Sequence, residues 1–293
     1  MSTAEPGVVV AAFGRRALVR RPDGSRWQAL IRGRAMEVAV GDRVLTHDAA
    51  ADQRVIESIA PRDSLIERSV EHRRKMLAAN VDQAVILIGP SPRFAEDILL
   101  RVMIAVHHAG VQTLIVANKA DHPGFDAIRP RLDVLRALGE SVLSTSVIAE
   151  PQATRERLAQ ALHGRRTVLM GESGMGKSSL LNLLIPAAAQ RVGEISAALG
   201  AGRHTTTASC LFELDDRSTL IDTPGFQQFG LAHLSGSERD HGFVDIAPYL
   251  GQCRFHNCHH LREPGCAIQA AAQAGLIDPL RLRLYLDMRQ SAA

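Results

Sequence analysis

The sequence predicts a multidomain protein with a small N-terminal β-barrel, a central α/β domain and a short C-terminal α-helical domain. Three observations lead to this prediction. Short β-type runs fill about the first sixty positions, strand and helix patterns alternate through the middle, and the last part is rich in Cys and His. The chain has 293 residues, enough for more than one hydrophobic core. We place the domains at residues 1–70, 71–230 and 231–293.

The composition favours a protein that works inside the cell. Hydrophobic residues make up 46% of the chain, but the longest apolar runs are strand-sized, so we expect no membrane span. The N-terminal residues lack the basic region and long apolar stretch of a secretory signal. Three of the four Cys lie close together, which indicates a metal site rather than a disulfide framework. We therefore expect a cytoplasmic protein, with a monomer as the default state.

The first domain is predicted to be a five-stranded barrel, with the OB-fold as the leading candidate. Arg residues are frequent here, and their planar guanidinium groups suit phosphate, which favours a nucleic-acid partner. A solvated basic face is the alternative interpretation. Aromatic residues are sparse, with Phe13 and Trp27 in this part, so contacts to a nucleic-acid backbone should outweigh base stacking. The predicted strands are 8–12, 17–20, 26–31, 42–46 and 55–59.

The second domain alternates strand and helix patterns, which favours a mostly parallel sheet with helices on both faces. After residue 229 the pattern becomes less regular, and two helices are predicted at 267–274 and 279–290. The predicted strands of the sheet are 85–88, 114–117, 142–143, 167–170, 210–214 and 219–222, and the predicted helices are 94–108, 128–138, 152–162 and 177–184.

A phosphate-binding loop is predicted at residues 171–178, where GESGMGKS matches the pattern GxxxxGK[ST] between a strand and a helix. Backbone N–H groups of such a loop wrap a phosphate at the N-terminus of the helix. Lys177 is expected to bridge the β- and γ-phosphates, and Ser178 to bind Mg²⁺. A Gly-rich turn without a ligand is the alternative. The candidate nucleotide-contacting residues are Gly171, Glu172, Ser173, Gly174, Met175, Gly176, Lys177, Ser178 and Ser179.

The sequence NKAD, residues 118–121, follows a predicted strand and has the pattern that reads guanine. Asp121 can accept hydrogen bonds from guanine N1–H and the exocyclic amine, whereas adenine would leave the carboxylate unpaired. Asn118 is expected either to bond the base edge or to tether the phosphate loop. Lys119 is expected to lay its stem over the ring. A polar loop at the end of a strand is the alternative.

Residues 222–225, DTPG, fit the weaker pattern DxxG. Asp222 can reach the Mg²⁺ shell and the N–H of Gly225 can meet the γ-phosphate. A second match at 121–124 overlaps the guanine pattern and is treated as accidental. One Thr of the run Thr205, Thr206 and Thr207 is expected to contact the metal and the γ-phosphate, but spacing does not decide which. GTPases have a fifth sequence element, a short Ser/Ala loop that supports the guanine base, and residues 144–146 indicate it only faintly.

The order of these patterns is unusual, because the guanine pattern precedes the phosphate loop. Three motifs, each at the end of a predicted strand, make chance a poor explanation. The ordinary GTPase sheet can be cut and rejoined elsewhere, since the termini of compact domains often lie close together. We therefore predict a circularly permuted P-loop GTPase domain that binds GTP and GDP together with Mg²⁺.

A metal site is predicted near the C-terminus, where Cys253, Cys258, His260 and Cys266 offer three thiolates and an imidazole. This is the ligand set of a closed structural Zn²⁺ site. His256 and His259 compete as ligands, and spacing does not exclude them. Buried free Cys residues are the alternative.

Several stretches along the chain resemble those of the ribosome small-subunit-dependent GTPase A family of bacteria. The resemblance implies an OB domain, a permuted GTPase domain and a zinc domain in which His260 is the fourth ligand. It also implies GTP hydrolysis stimulated by the 30S ribosomal subunit, contact with 16S rRNA, and a role late in 30S maturation. The stretches that carry it are GDRV, IAPRDSLIER, KMLAANVDQAVIL, NKAD, GESGMGKSSLLN, GEIS, GRHTTT, DTPGFQQFGL and CRFHNCHHLREPGCAIQAA.

The catalytic group is expected outside the usual position. Phe226 stands directly after DxxG, where many GTPases have a Gln that orients water, so slow intrinsic turnover is predicted. His204 is our candidate, which the resemblance supports, against the alternative of an exposed loop His; Arg203 is a weaker candidate. Two other classes stay open: a GTP-operated switch for a non-ribosomal RNA, and a P-loop kinase, against which NKAD and the lack of an acceptor site speak.

Overall fold

The computed structural model describes residues 4–33, 36–50, 53–70, 73–91, 94–186, 188, 190, 192–193 and 209–290. The candidate residues His204, Thr205 and Thr206, together with Arg203 and Thr207, lie outside the described residues, and their roles stay predictions.

The N-terminal domain is a closed barrel of five strands, as predicted. Its strand order is β1-β2-β3-β5-β4, and β4 closes the barrel by pairing with β1. Strands β3 and β5 run parallel and the other pairs antiparallel, an OB-like arrangement. The interior is apolar, with Val9, Val19 and Ile56 almost fully buried. The strands are β1 (Glu5–Phe13), β2 (Arg16–Arg20), β3 (Arg26–Ile31), β4 (Arg43–Ala50) and β5 (Gln53–Ile59).

The central domain is a six-stranded sheet with helices on both faces, which confirms the predicted layers. The order is β10-β9-β8-β11-β13-β12, with only β12 antiparallel to its neighbour in this part. Helices α1 and α2 cover one face and α3 and α4 the other. The strands are β8 (Gln83–Ile88), β9 (Gln112–Ala117), β10 (Ser141–Ser144), β11 (Arg166–Gly171), β12 (Cys210–Glu213) and β13 (Thr219–Asp222). The helices are α1 (Glu96–His108), α2 (Phe125–Ala137), α3 (Pro151–Leu162) and α4 (Lys177–Leu184).

The barrel continues the central sheet. A register shift in β1 between Val9 and Ala11 redirects the strand, so that Val9 packs inside the barrel and Ala11 in the α/β core. Ala11 then pairs with Cys210 of β12, and the two domains share one sheet of eleven strands.

A hairpin of β6 (Leu65–Val70) and β7 (Arg73–Ala79) forms a separate two-stranded sheet. No strand was predicted between residues 59 and 85, and that prediction is wrong because β6 and β7 lie there. The run of three exposed cations at the start of β7 hides the alternating pattern, because only its last residues are buried. The predicted domain boundary at 70/71 falls inside this hairpin and stays a prediction.

The C-terminal domain contains α5 (Gly236–His241), a 3₁₀ turn (Ala247–Tyr249), α6 (Ala267–Gln273) and α7 (Pro279–Gln290). Helices α6 and α7 were predicted, whereas α5 was missed. Its signal was present, because Ser235 and Glu238 form a capping box at its start. The buried guanidinium of Arg281 donates two hydrogen bonds to the carboxylate of Asp245. This bidentate ion pair holds α7 against the rest of the domain. Among the described helices, none has both the length and the apolar character needed to cross a membrane.

Candidate functional site

The predicted motif residues meet at one edge of the central sheet. Strands β10, β9, β8, β11 and β13 are parallel, so their carboxyl ends lie together. Gly171 ends β11, Asp222 ends β13, Asn118 follows β9 and Ser144 ends β10. Ligands of open α/β sheets bind at this edge.

The phosphate loop needs its glycines. Gly174 and Gly176 have φ values of +85° and +95°, in the left-handed region that side chains disfavour. A Cβ on Gly176 would also lie 2.5 Å from Asn118 Nδ2. Helix α4 starts at Lys177, and its first N–H groups receive no cap from a side chain of the described residues. This arrangement leaves backbone donors at a helix N-terminus for an anion.

Two opposite charges face each other at the mouth of this loop. Lys177 Nζ lies 2.6 Å from Asp222 Oδ1, and the two side chains are only 12% and 19% exposed. Burial raises the pKa of Asp222 above its ordinary value, and the charge of Lys177 and its hydrogen bond counteract this rise. The pair places the ammonium group and the carboxylate where the phosphate and metal chemistry was predicted.

Asn118 makes the contacts of a tether. Its amide nitrogen donates to the carbonyl of Met175 at 3.2 Å, and its amide oxygen accepts from the N–H of Val147 at 3.3 Å. The hydroxyl of Thr145 also donates to that oxygen at 3.4 Å. The side chain is buried and both of its polar ends are used within the protein. Of the two interpretations left open, these contacts favour the tether between the guanine pattern and the phosphate loop.

Lys119 adopts a positive φ of 62°, which is uncommon for a residue other than Gly. Its ammonium group donates to the carbonyl of Ser91 at 2.5 Å and to that of Gly174 at 2.9 Å. The side chain therefore joins the loop after β8 to the phosphate loop. Ser91 was not singled out in the sequence, since only its backbone takes part.

Asp121 is held by Ser146. The Ser146 hydroxyl donates to Asp121 Oδ1 and accepts from the N–H of Ala149 at 3.0 Å. The hydrogen bond from Ser146 lowers the pKa of Asp121, so the carboxylate stays ionised well below neutral pH. Thr145 accepts from the backbone N–H of Ala120 at 2.9 Å, which fixes the loop beside the guanine pattern. The faint signal at residues 144–146 thus falls next to Asp121.

The DxxG segment lies against the phosphate loop. A Cβ on Gly225 would lie 3.4 Å from the Cα of Ser173, and Glu172 pairs with Phe226 in a short parallel bridge. Thr223 is fully buried, and its hydroxyl donates to the carbonyl of Leu169 at 2.8 Å. The segment is therefore fastened at both ends, close enough for its backbone to take part in a phosphate site.

The predicted metal ligands converge. The ligand atoms of Cys253, Cys258, His260 and Cys266 all lie within 4.8 Å of one another. His260 Nδ1 lies 3.4 Å from Cys253 Sγ and 3.5 Å from Cys266 Sγ, and these two sulfurs are 3.9 Å apart. A tetrahedral ion at usual Zn–S and Zn–N lengths separates two sulfurs by about 3.8 Å and sulfur from nitrogen by about 3.6 Å. The four residues fit such an ion.

The surrounding backbone aims these ligands. His260 has a φ of +64°, its carbonyl accepts from Gln269 Nε2 at 2.6 Å, and its ring faces that of Tyr285. Cys266 caps α6, where its sulfur accepts from the backbone N–H of Gln269 at 3.5 Å. His256 and His259, the competing ligands, are exposed and outside the group. Sequence spacing did not decide which His lies with the three Cys, and the tertiary structure places His260 there.

Known proteins match this chain along its whole length. The family model described as RsgA GTPase matches residues 59–232. A protein named small ribosomal subunit biogenesis GTPase RsgA, from Paraburkholderia xenovorans, is 46% identical over 100% of this chain and 95% of that protein. The chain belongs to the RsgA GTPase family. A protein of the same name from Ralstonia nicotianae is also 46% identical, over 98% of this chain and 92% of that one. The family consists of GTP-hydrolysing enzymes, and the resemblance drawn from the motifs is confirmed.

Solved structures similar to this RsgA-family chain support its architecture. YjeQ from Thermotoga maritima is 26% identical, covers 99% of both chains and superposes with a TM-score of 0.73. YloQ, described as a circularly permuted GTPase, covers 99% of this chain and 95% of its own with a TM-score of 0.69. At 24% identity, YloQ shows the fold alone. Both agree with the permuted sheet and the three-part fold.

The position after DxxG is closed off in this RsgA-family chain. Phe226 is only 4% exposed and stacks edge-on against Phe229 at 5.3 Å. Arg68 of the β6–β7 hairpin lies over the Phe226 ring and donates to the carbonyl of Gln228 at 3.1 Å. Ser69 and Gly230 exchange backbone hydrogen bonds at 2.9 and 3.2 Å. The hairpin that the sequence analysis missed therefore clamps the segment that follows DxxG.

Proposed function

We propose that this chain is a GTPase of the small ribosomal subunit, which hydrolyses GTP when the 30S subunit stimulates it and acts late in 30S maturation. One observation carries the proposal: the phosphate loop, NKAD and DxxG meet at one edge of the sheet, but the residue after DxxG is a buried Phe226. A buried aromatic ring cannot orient water. The relatives named for small-subunit biogenesis, similar over the full length, indicate which particle supplies the stimulus.

In the nucleotide site, Asp121 reads guanine and Lys119 flanks the ring, while Asn118 and Ser146 hold the reading loop in place. This assignment is supported by the hydrogen bonds that join these residues. Discrimination against adenine follows, because adenine lacks the donors that guanine offers to Asp121. Covering that carboxylate with a base that leaves it unpaired costs binding free energy.

In the phosphate site, the loop from Gly171 to Ser179 wraps the phosphates with its backbone, and Lys177 bonds the β- and γ-phosphates. Ser178 and Asp222 would hold Mg²⁺, and Gly225 would donate its N–H to the γ-phosphate. Mg²⁺ bound with GTP neutralises the charge that develops on the phosphate oxygens. Support comes from the Lys177–Asp222 contact and from the uncapped start of α4.

For the hydrolytic step we keep His204 as the group that positions the attacking water, and Thr205 or Thr206 as the contact to Mg²⁺ and the γ-phosphate. All three lie outside the described residues. Their stretch leads directly into β12, which neighbours β13 and its terminal Asp222. That adjacency supports a role for the stretch beside the γ-phosphate.

The metal centre holds one structural Zn²⁺, bound by Cys253, Cys258, His260 and Cys266. The distances among the ligand atoms and the three sulfurs support zinc. Four protein ligands fill a tetrahedral shell and leave no position for a reacting water. The ion supplies a cross-link that a short segment with a small core needs.

The partner is the 30S subunit, with 16S rRNA as the contacted polymer, and the protein works in the cytoplasm. Support comes from the family and from the Arg-rich barrel. We keep a monomer as the default state.

The test is steady-state phosphate release from GTP, with and without purified 30S subunits, with ATP and the Lys177→Ala variant as controls. We expect slow release alone, stimulation of about tenfold or more by 30S subunits, and no release from ATP. Stimulation by another RNA particle but not by 30S would replace the ribosomal proposal with a different RNA partner. Formation of GDP that requires an added small-molecule acceptor, with phosphate transferred to that acceptor and not released, would replace it with a kinase.

A further inference from the structure

Arg68 of the β6–β7 hairpin reaches the segment that follows DxxG. Its guanidinium carbon lies over the Phe226 ring, 5.8 Å from the ring centre, and its Nη1 donates to the carbonyl of Gln228 at 3.1 Å. One side chain therefore contacts both ends of the stretch 226–228. Arg68 belongs to none of the nucleotide motifs and lies outside the group of metal ligands.

The stretch that Arg68 contacts is joined directly to the phosphate loop. The N–H of Phe226 donates to the carbonyl of Gly171 at 3.4 Å. Gly225 precedes Phe226, and a Cβ on Gly225 would lie 3.4 Å from the backbone nitrogen of Ser173. A shift of Phe226 would therefore move the N–H of Gly225 relative to the phosphate loop. A displacement of about 1 Å at a reacting centre can cost about a hundredfold in rate.

The surroundings of Arg68 are costly for a cation. Its Nε is buried and has no hydrogen-bond partner among the described residues. The neighbouring Glu67 pairs with Arg74 at 2.5 Å, and the residue opposite Arg68 in the hairpin is Lys75. Burial lowers the pKa of Arg68, and burial together with the charge of Arg68 lowers the pKa of Lys75. A half-buried guanidinium without a carboxylate partner in the described part of the chain costs folding free energy.

Such a residue is better suited to holding a segment in position than to stabilising the fold. Groups that cost stability persist where function needs them, and their replacement often makes a protein more stable. A planar guanidinium can lie over an aromatic ring and donate from its edge at the same time, which an ammonium group cannot. Ser69, the next residue of β6, exchanges two backbone hydrogen bonds with Gly230. Arg68 thus fixes the stretch 226–228 just before this backbone pair.

We propose that Arg68 is a positioning residue for GTP hydrolysis, which acts through Phe226 and Gln228 to hold the N–H of Gly225 at the γ-phosphate. Because GDP has no γ-phosphate, the effect falls on the hydrolytic step and leaves the affinity for GDP unchanged. The inference rests on the proposed role of Gly225. It concerns hydrolysis without the 30S subunit, so it does not depend on the ribosomal partner.

The test is single-turnover hydrolysis of GTP by the full-length protein without 30S subunits, together with the Kd for GDP and the free energy of unfolding in urea. Arg68→Met keeps an aliphatic stem and removes the guanidinium. We expect about tenfold slower hydrolysis, a Kd for GDP within about twofold of the wild type, and stability equal to or above the wild type. A residue with a merely structural role would lose stability when replaced.

Two further variants isolate the guanidinium. Arg68→Lys keeps the positive charge but lacks the planar fork, so its hydrolysis should be slow as well. Arg73→Met is the matched control, because Arg73 is an exposed cation of the same hairpin, and its rate should equal that of the wild type. A wild-type rate in Arg68→Met or in Arg68→Lys overturns the proposal. A slow Arg68→Met that has also lost stability and GDP affinity overturns it too, since the role is then structural.

Hydrogen exchange of the GDP-bound protein measures the positioning itself. Backbone N–H groups within residues 226–230 should exchange faster in Arg68→Met, while those of the phosphate loop keep their wild-type rates. Unchanged exchange within 226–230 removes the positioning role. Phosphate release with 30S subunits, measured in parallel, separates this inference from the proposed function. Absence of 30S stimulation in the wild type removes the ribosomal function alone, whereas a wild-type rate in Arg68→Met removes only the role of Arg68.

Discussion

Lys177 Nζ and Asp222 Oδ1 lie 2.6 Å apart, although Lys177 begins helix α4, Asp222 ends strand β13, and the two are expected to serve different parts of a bound nucleotide. The pair is largely shielded from water, so each charge needs a partner when no nucleotide is present. We expect GTP binding to supply phosphate to Lys177 and a cation to Asp222 at the same time. The contact therefore links nucleotide affinity to Mg²⁺.

Asp222→Asn should uncouple the nucleotide from the metal. Without Mg²⁺, the wild-type carboxylate repels the phosphates, and the neutral amide does not. We expect the ratio of GDP affinities with and without Mg²⁺ to shrink by about tenfold, while GTP hydrolysis falls by about a hundredfold. Titration of a fluorescent GDP in Mg²⁺ and in EDTA measures the ratio. Asp215→Asn, in an exposed turn, is the control. An unchanged ratio in Asp222→Asn would remove the linkage.

Ser146→Ala should weaken guanine binding and change its pH dependence. At pH 7 Asp121 is ionised with or without Ser146, so the loss there, about three- to tenfold in Kd for GTP, reflects the lost hydrogen bond. Ser146 lowers the pKa of Asp121; without it the pKa rises, and the carboxylate is protonated at higher pH. As the pH is lowered, GTP affinity should therefore begin to fall at a higher pH in Ser146→Ala than in the wild type; this fall is the acidic limb of the affinity profile.

The measurement is the Kd for GTP from about pH 3.5 to pH 7, a range that includes the pKa of a free Asp, about 3.9. Ser141→Ala, exposed at the start of β10, the strand that precedes the Ser146 loop, should match the wild type throughout. An acidic limb of Ser146→Ala that coincides with the wild type contradicts the assigned contact.

Removal of the metal should loosen the C-terminal domain and spare the rest. Cys258→Ser takes away one ligand of four, so we expect metal content to fall from about one ion per chain and protease cleavage to appear within residues 251–276. Cys210→Ala is the matched control, because Cys210 lies in β12, outside the ligand group. Metal retained at full content by Cys258→Ser would show that this sulfur is not a ligand.

Gly41→Ala should destabilise the contact between the barrel and the β6–β7 hairpin. Gly41 has a φ of +94°, and a Cβ there would lie 2.1 Å from the carbonyl oxygen of Ala79. We expect a loss of about 3 kcal/mol or more in the free energy of unfolding. Gly110→Ala isolates the backbone effect, because Gly110 has a φ of +69° with open space around it. That control should lose about 1 kcal/mol. Equal losses in urea titrations would mean that the clash is relieved.

His233 should make stability depend on pH. The Ser69 hydroxyl accepts from the backbone N–H of His233 at 3.1 Å and lies 3.0 Å from its Nδ1, a contact that suits a neutral ring. Burial lowers the pKa of His233 in the folded chain. At pH values between the folded pKa of His233 and its unfolded pKa of about 6.5, the unfolded chain binds more protons than the folded chain. The free energy of unfolding therefore falls as the pH drops through this range.

His233→Gln should remove this part of the pH dependence, as measured by urea unfolding at pH 7.5, 6.5 and 5.5. His241→Gln is the control, since His241 is exposed on α5. A wild-type slope that survives in His233→Gln would assign it to other groups.

Local patterns carried much of the nucleotide site. The phosphate loop, the guanine pattern and DxxG each occupy a few consecutive residues at a strand end, because one turn of backbone shapes each of them. Their order along the chain was enough to predict the permuted sheet. The β6–β7 hairpin escaped, since β7 opens with three exposed cations and its buried residues come last.

By itself, the sequence determined the three-part architecture, the phosphate loop and the set of residues from which the metal ligands come. The tertiary structure decided which His joins the three Cys, that Ser146 holds Asp121, and that Ala11 of the barrel pairs with Cys210 of the central sheet. The physical reason is the same in each case. Contacts between residues far apart in the chain depend on how whole elements pack, and no local spacing encodes that packing.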